Sequence, residues 1–109
     1  MNKIIAEHTF WSAQNEDLRE LMVQIFEPQK TVDAWTCSMH ISDARSKLPT
    51  PRGDSSLQCL SMAIWYVYYT LLNRLRSGEK LYYEETTDNP PVDEELLEAI
   101  FAQHMEKRV

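Results

Sequence analysis

The segment from about Ser56 to Ser77 is apolar on almost every side when wound as a helix, and this limits what the rest of the chain can build around it. At 100° per residue, Leu57, Leu60, Ile64, Val67, Tyr68, Leu71 and Leu75 gather on one side. Asp54 and Ser55 supply N-cap chemistry and Gly78 a C-cap, while Arg74 and Arg76 complement the dipole at the far end. Met62, Tyr66 and Tyr69, flanked by Trp65, lie away from that stripe. A helix this apolar has to be covered twice. One cover is a sheet; the other is a second helix or another molecule.

The sheet comes from the first third of the chain. Ile4 to Trp11, with Ile5, His8 and Phe10, reads as a strand, and Ser12 to Asp17 as a turn cluster. Leu18 to Glu27 alternates, with Leu21, Val23 and Ile25 on one side and Met22, Gln24 and Phe26 on the other, until Pro28 ends it. After a connector at 29–33, Ala34 to Ile41 alternates again: Trp35, Cys37, Met39 and Ile41 against Thr36, Ser38 and His40. Residues 42–54 form a long polar loop with Arg45, Lys47, Pro49, Pro51, Arg52 and Gly53. Leu81 to Glu84 reads as a short strand. A final helix runs from about Val92 to Lys107, with Leu96, Leu97, Ile100, Phe101 and Met105 as its apolar residues. The predicted class is α+β: one domain over 1–109, with a three- to four-stranded, mainly antiparallel sheet packed on one long helix, plus a C-terminal helix.

Charge narrows the partners. The chain has 109 residues and a net charge of −6. Residues 1–78 balance eight acids against eight bases, and residues 79–109 hold nine acids and three bases. Such a surface repels phosphate backbones, so direct nucleic-acid binding is not expected, whereas a basic protein is attracted. Met62 to Leu72, the longest apolar stretch, is too short to span a bilayer, and the N-terminus lacks the apolar run of a signal peptide. A cytoplasmic protein with free Cys37 and Cys59 is the expectation, with no membrane partner.

The Trp35-x-Cys37 strand, followed by Gly53, Ser56, Leu57, Gln58 and Leu60 at the start of the long helix, resembles a family of small uncharacterised bacterial proteins. That family carries a Trp-x-Cys strand and a Gly-x-Asp-Ser-Leu-Gln-Ala-Leu helix start. Ser55 stands where the family has Asp, and Cys59 where it has Ala. The resemblance covers roughly residues 18–75. It implies a bacterial origin and a small sheet on one long helix, and it implies no catalytic residue.

Candidate chemistry is sparse. Cys37 and His40 are three apart, which on a strand sends them to opposite faces. His8, His40 and His104 have no zinc-binding spacing, and Gly53 and Gly78 form no phosphate loop. Neither a metal nor a cofactor is expected. Ser55 and Ser56 are expected as helix caps, and Cys59 sits near a helix start that lowers a thiol pKa. An enzyme would have to combine His40 with Ser55 or Cys59. Met62, Trp65, Tyr66 and Tyr69 suit either packing under the C-terminal helix or an interface. Asp93, Glu94, Glu95 and Glu98 suit either a capped helix start or a docking face. The functional expectation is a non-enzymatic protein-binding module, an inhibitor or immunity-type protein that neutralises a basic toxin or nuclease. A structural homo-oligomer, in its simplest form a homodimer, is the alternative.

Overall fold

A computed structural model describes residues 3–43 and 48–101. Among these residues are seven strands: β1 (Ile4–Gln14), β2 (Asp17–Phe26), β3 (Gln29–Lys30), β4 (Trp35–Thr36), β5 (Met39–Ile41), β6 (Arg52–Gly53) and β7 (Leu81–Tyr82). Helix α1 spans Ser56–Arg76 and α2 spans Glu94–Phe101. The strands form a four-stranded sheet in the order β5-β2-β1-β7 and a three-stranded sheet in the order β3-β4-β6. The protein is α+β, with the long helix packed on an antiparallel sheet.

The opening hairpin is longer and tighter than the sequence suggests. β1 continues through Ser12 to Gln14, and the corner is only Asn15 and Glu16. Asn15 takes φ 59°, a left-handed conformation that asparagine tolerates better than most residues. Residues 12–14 read as turn because they are polar, yet Ser12 is buried and pairs in the ladder with Leu81.

The expected strand at 34–41 is two strands. β4 pairs with β3 and β6, whereas β5 pairs with β2 through Val23–Ile41, Gln24–His40 and Ile25–Met39. Between them the Cys37 N–H donates to the Pro51 carbonyl at 3.3 Å, and the Ser38 carbonyl accepts from the Phe26 N–H at 3.0 Å. The chain therefore changes ladders within two residues. Cys37 and Ile41 are buried while Trp35 and Met39 are half-buried, so the alternation is shared by two sheets. β3 and β6 fall in segments that read as connector and loop.

The chain divides into two compact units, each made of separated segments. One holds the described residues of 3–9 and 21–67, the other those of 10–20 and 68–101. The first buries Leu21, Val23 and Ile25 with Cys37, Ile41, Cys59, Ala63 and Val67. The second buries Phe10, Tyr68, Leu71, Leu72, Leu81, Tyr82, Val92 and Leu97. The buried side of α1 is thus rotated from the expected stripe. Cys59 and Ala63 belong to it, and Leu57, expected in the core, is 72% exposed in the first turn.

Helix ends follow their local chemistry. The Gln58 N–H donates to Ser55 Oγ at 3.0 Å, and Gln58 Oε1 accepts from the Asp54 N–H, a capping box displaced by one residue. A side chain at Gly53 would meet Gln58 Oε1 at 2.9 Å and the Cys59 nitrogen at 3.0 Å, so the close approach of β6 to the helix start requires glycine. At the far end Gly78 has φ 101°, its N–H reaches the Leu75 carbonyl and the Glu79 N–H reaches that of Arg74. This is a Schellman closure. Helix α2 begins later than expected because Asp93 is its N-cap, its Oδ1 accepting from the Leu96 N–H at 2.8 Å. The strand expected at 81–84 ends at Tyr82. The expected helix end at Lys107 lies outside the described residues.

Candidate protein-binding surfaces

From Ser56 to Asn73 helix α1 contains no charged residue. Beyond its first turn, where Ser56, Leu57 and Gln58 are all exposed, the uncharged positions it leaves to solvent recur every four residues: Ser61, Trp65, Tyr69 and Asn73. In the first unit, Gln58, Ser61, Met62, Trp65 and Tyr66 line an open recess of about 440 Å³. The Trp65 and Tyr66 rings meet edge to face, with centroids 5.7 Å apart at 75°, a favourable arrangement for two aromatic quadrupoles. Trp65 remains 46% exposed, and Tyr69, in the second unit, 43%. In the second unit, the cover expected from the C-terminal helix leaves Tyr69 exposed. In the second unit α2 meets Tyr68 instead, whose ring lies 5.8 Å from that of Phe101.

Two of the acidic candidates have structural roles in α2. Asp93 caps α2, and Glu94 grips Arg76 in a bidentate pair at 3.0 and 3.2 Å. The Arg76 guanidinium holds the Glu94 carboxyl below its ordinary value, and Glu94 raises Arg76. Glu98 is half-buried and Glu95 is exposed. Glu84, Glu85 and Asp88 are also exposed. Among the described residues, none of Glu84, Glu85, Asp88 and Glu95 is in an ion pair.

Of the residues considered for catalysis, Ser55 and Cys59 are engaged locally. Ser55 Oγ is occupied as the helix cap, and Ser56 offers its carbonyl to the Cys59 thiol at 3.4 Å. His40 is exposed on β5, His104 lies outside the described residues, and burial lowers the His8 imidazole below its ordinary value. Among the described residues, no three His, Cys, Asp or Glu gather as they would around a metal ion, and no helix is long and apolar enough to cross a membrane.

The structure does bring Cys37 and Cys59 together, which their separation in sequence concealed. Both thiols are free and fully buried, and Cys37 Sγ donates to the Phe26 carbonyl at 3.2 Å. Burial, and then the neighbouring Cys59, push the Cys37 thiol from 9.0 up to about 11. In the unfolded chain this proton leaves near 9.0, whereas the folded chain keeps it to about 11. The unfolded state therefore binds fewer protons in that window, and stability falls as pH rises through it. Urea midpoints measured from pH 8 to 11 should show this fall in the native protein and a shallower one in Cys37→Ala.

Compared with family models, curated proteins and solved structures, the chain matches none.

Proposed function

We propose that this chain is a protein-binding module that neutralises a basic partner protein by docking onto it, an inhibitor of the immunity kind. The observation that carries this reading is the confinement of the net negative charge to one unit. Residues 10–20 and 68–109 hold twelve acids and six bases, and residues 1–9 and 21–67 hold five of each. The whole net charge of −6 thus belongs to the second unit. Two of its bases, Arg74 and Arg76, are tied to Glu79 and Glu94. Exposed Glu84, Glu85, Asp88 and Glu95 then present a negative field that accelerates encounter with a cationic surface and orients it. A toxic nuclease, basic because it binds phosphate, is the kind of partner such a surface suits.

Titration calorimetry against each purified basic product of the flanking genes tests the reading. One of them should bind one to one, with affinity falling on the order of tenfold or more between ~50 and ~300 mM salt. Combining Glu85→Lys, Asp88→Lys and Glu95→Lys should abolish that complex and leave the melting temperature unchanged. A complex indifferent to both salt and charge reversal would defeat the proposal, as would the absence of any complex.

A further inference from the structure

We propose that Cys37 and Cys59 are a dithiol–disulfide couple, which an oxidant converts into a disulfide that staples the strand exchange after β4 to the start of α1 while the chain stays folded. The inference lies wholly within the first unit and is independent of the acidic docking surface.

Both cysteines are set against the same two-residue strand, β6. Trp35 stands opposite Gly53 in the β4–β6 ladder, and two residues further on the Cys37 N–H donates to the Pro51 carbonyl. From the helix side, the backbone nitrogen of Cys59 approaches Gly53 so closely that a Cβ there would meet it at 3.0 Å. The two side chains meet in the interior: both residues are 0% exposed, and their thiols share a hydrogen bond. A single buried cysteine is an apolar filler. Two whose thiols already touch are placed for an S–S bond, which requires neighbouring Cβ atoms.

The first turn of α1 gives an oxidant its way in. Ser55, Ser56, Leu57 and Gln58, which precede Cys59, are all exposed, and terminal helical turns open at little free-energy cost. Opening this turn presents Cys59 Sγ while β4 and β5 stay in their ladders. The oxidant we assign is a small disulfide, of which oxidised glutathione is the probe. The Cys59 thiolate attacks one of its sulfurs, forms a mixed disulfide and releases one glutathione thiolate. The Cys37 thiolate then attacks the Cys59 sulfur and expels the second glutathione. One S–S bond has formed and one has broken; the two cysteines have lost two electrons and two protons, and the oxidant leaves as two thiols. Because burial holds the proton on Cys37, this second step is the slow one. The new bond closes residues 38–58 into a loop, which restricts the unfolded chain more than the folded one.

Intact-mass spectrometry reads the couple on the native chain held without denaturant in glutathione buffers, from mostly reduced to mostly oxidised, and then alkylated. In the oxidised buffers the chain should lose two hydrogens and take up no alkylating agent, with unchanged circular dichroism. Trypsin should then release residues 31–45 joined to 53–74 until a reductant separates them. The oxidised chain should resist urea to a midpoint about 1 M above that of the reduced chain. Cys37→Ala and Cys59→Ala should each lose that oxidant-dependent gain. The proposal is overturned if the folded native chain keeps both thiols, if it stops at glutathione adducts, or if the disulfide forms only in urea. A disulfide that lowers the midpoint or costs the circular-dichroism signal would likewise overturn it. Each of these results would leave the two cysteines as core packing alone.

Discussion

Glu79→Ala should cost about 3 kcal/mol of stability, although Glu79 lies in the short connection between α1 and β7. Its Oε2 accepts from the Ser12 hydroxyl at 2.8 Å and from Arg74 Nη2 at 2.7 Å, and its Oε1 accepts from Arg74 Nε at 2.9 Å. The Arg74 and Glu79 side chains are 17% and 16% exposed, and Ser12 is 1% exposed. Removing the carboxylate leaves a largely buried guanidinium without its bidentate acceptor and a buried hydroxyl without one of its bonds, which costs more than the pair contributes. A companion Arg74→Met change in the alanine background should recover part of the loss by removing the stranded charge. Chemical denaturation of the single and double variants measures both effects. Equal stability of Glu79→Ala and the native protein would show the network to be dispensable.

Phe10→Ala should be more severe, at about 3–5 kcal/mol. Phe10 has no solvent exposure and heads the fully buried side chains by volume. It lies on β1 beside Trp11 and Ser12, which pair with β7. Its loss leaves a cavity that a strand held by a ladder cannot collapse to fill. Domains of this size are stable by only about 5–15 kcal/mol, so the variant should unfold at a much lower urea concentration with an unchanged slope. Leu57→Ala removes a comparably greasy side chain, but from water, and should shift stability by less than about 0.5 kcal/mol. The contrast separates burial from hydrophobicity as the cause.

These residues also show where the sequence is readable. The alternation of Leu21, Val23 and Ile25 repeats over a ten-residue strand, and the structure buries all three. The caps at Ser55 and Gly78 were legible because each satisfies its own neighbours' backbone groups. The strand exchange at Cys37 and Ser38 was not, because two-residue strands such as β4 and β6 have no period to detect. Leu57 was misplaced because the helical angle fixes which residues share a side but not which side faces the sheet. The Ser12–Glu79 bond spans 67 positions, and no local pattern encodes it. For the candidate surfaces, the aromatic residues of α1 could be picked out beforehand. The recess at Gln58 and Ser61 could not, since no local pattern marks where small polar residues come to lie beside a projecting ring. Asp93 and Glu94 were ambiguous until their cap and ion pair were seen.

The interleaving of the two units has a consequence for how the protein emerges from a ribosome. Residues 10–20 leave the exit tunnel early, yet they belong with 68–101, which are translated last. Until 68–101 have been synthesised, the tip of the first hairpin lacks the other segments of its unit, and the nascent chain carries it as open, sticky surface. Contacts between such distant segments form slowly, and an incomplete chain is exposed to aggregation in the interval. Early termination anywhere in α1 would therefore yield a fragment with its second unit unfinished, which solubility factors must hold or proteases must clear.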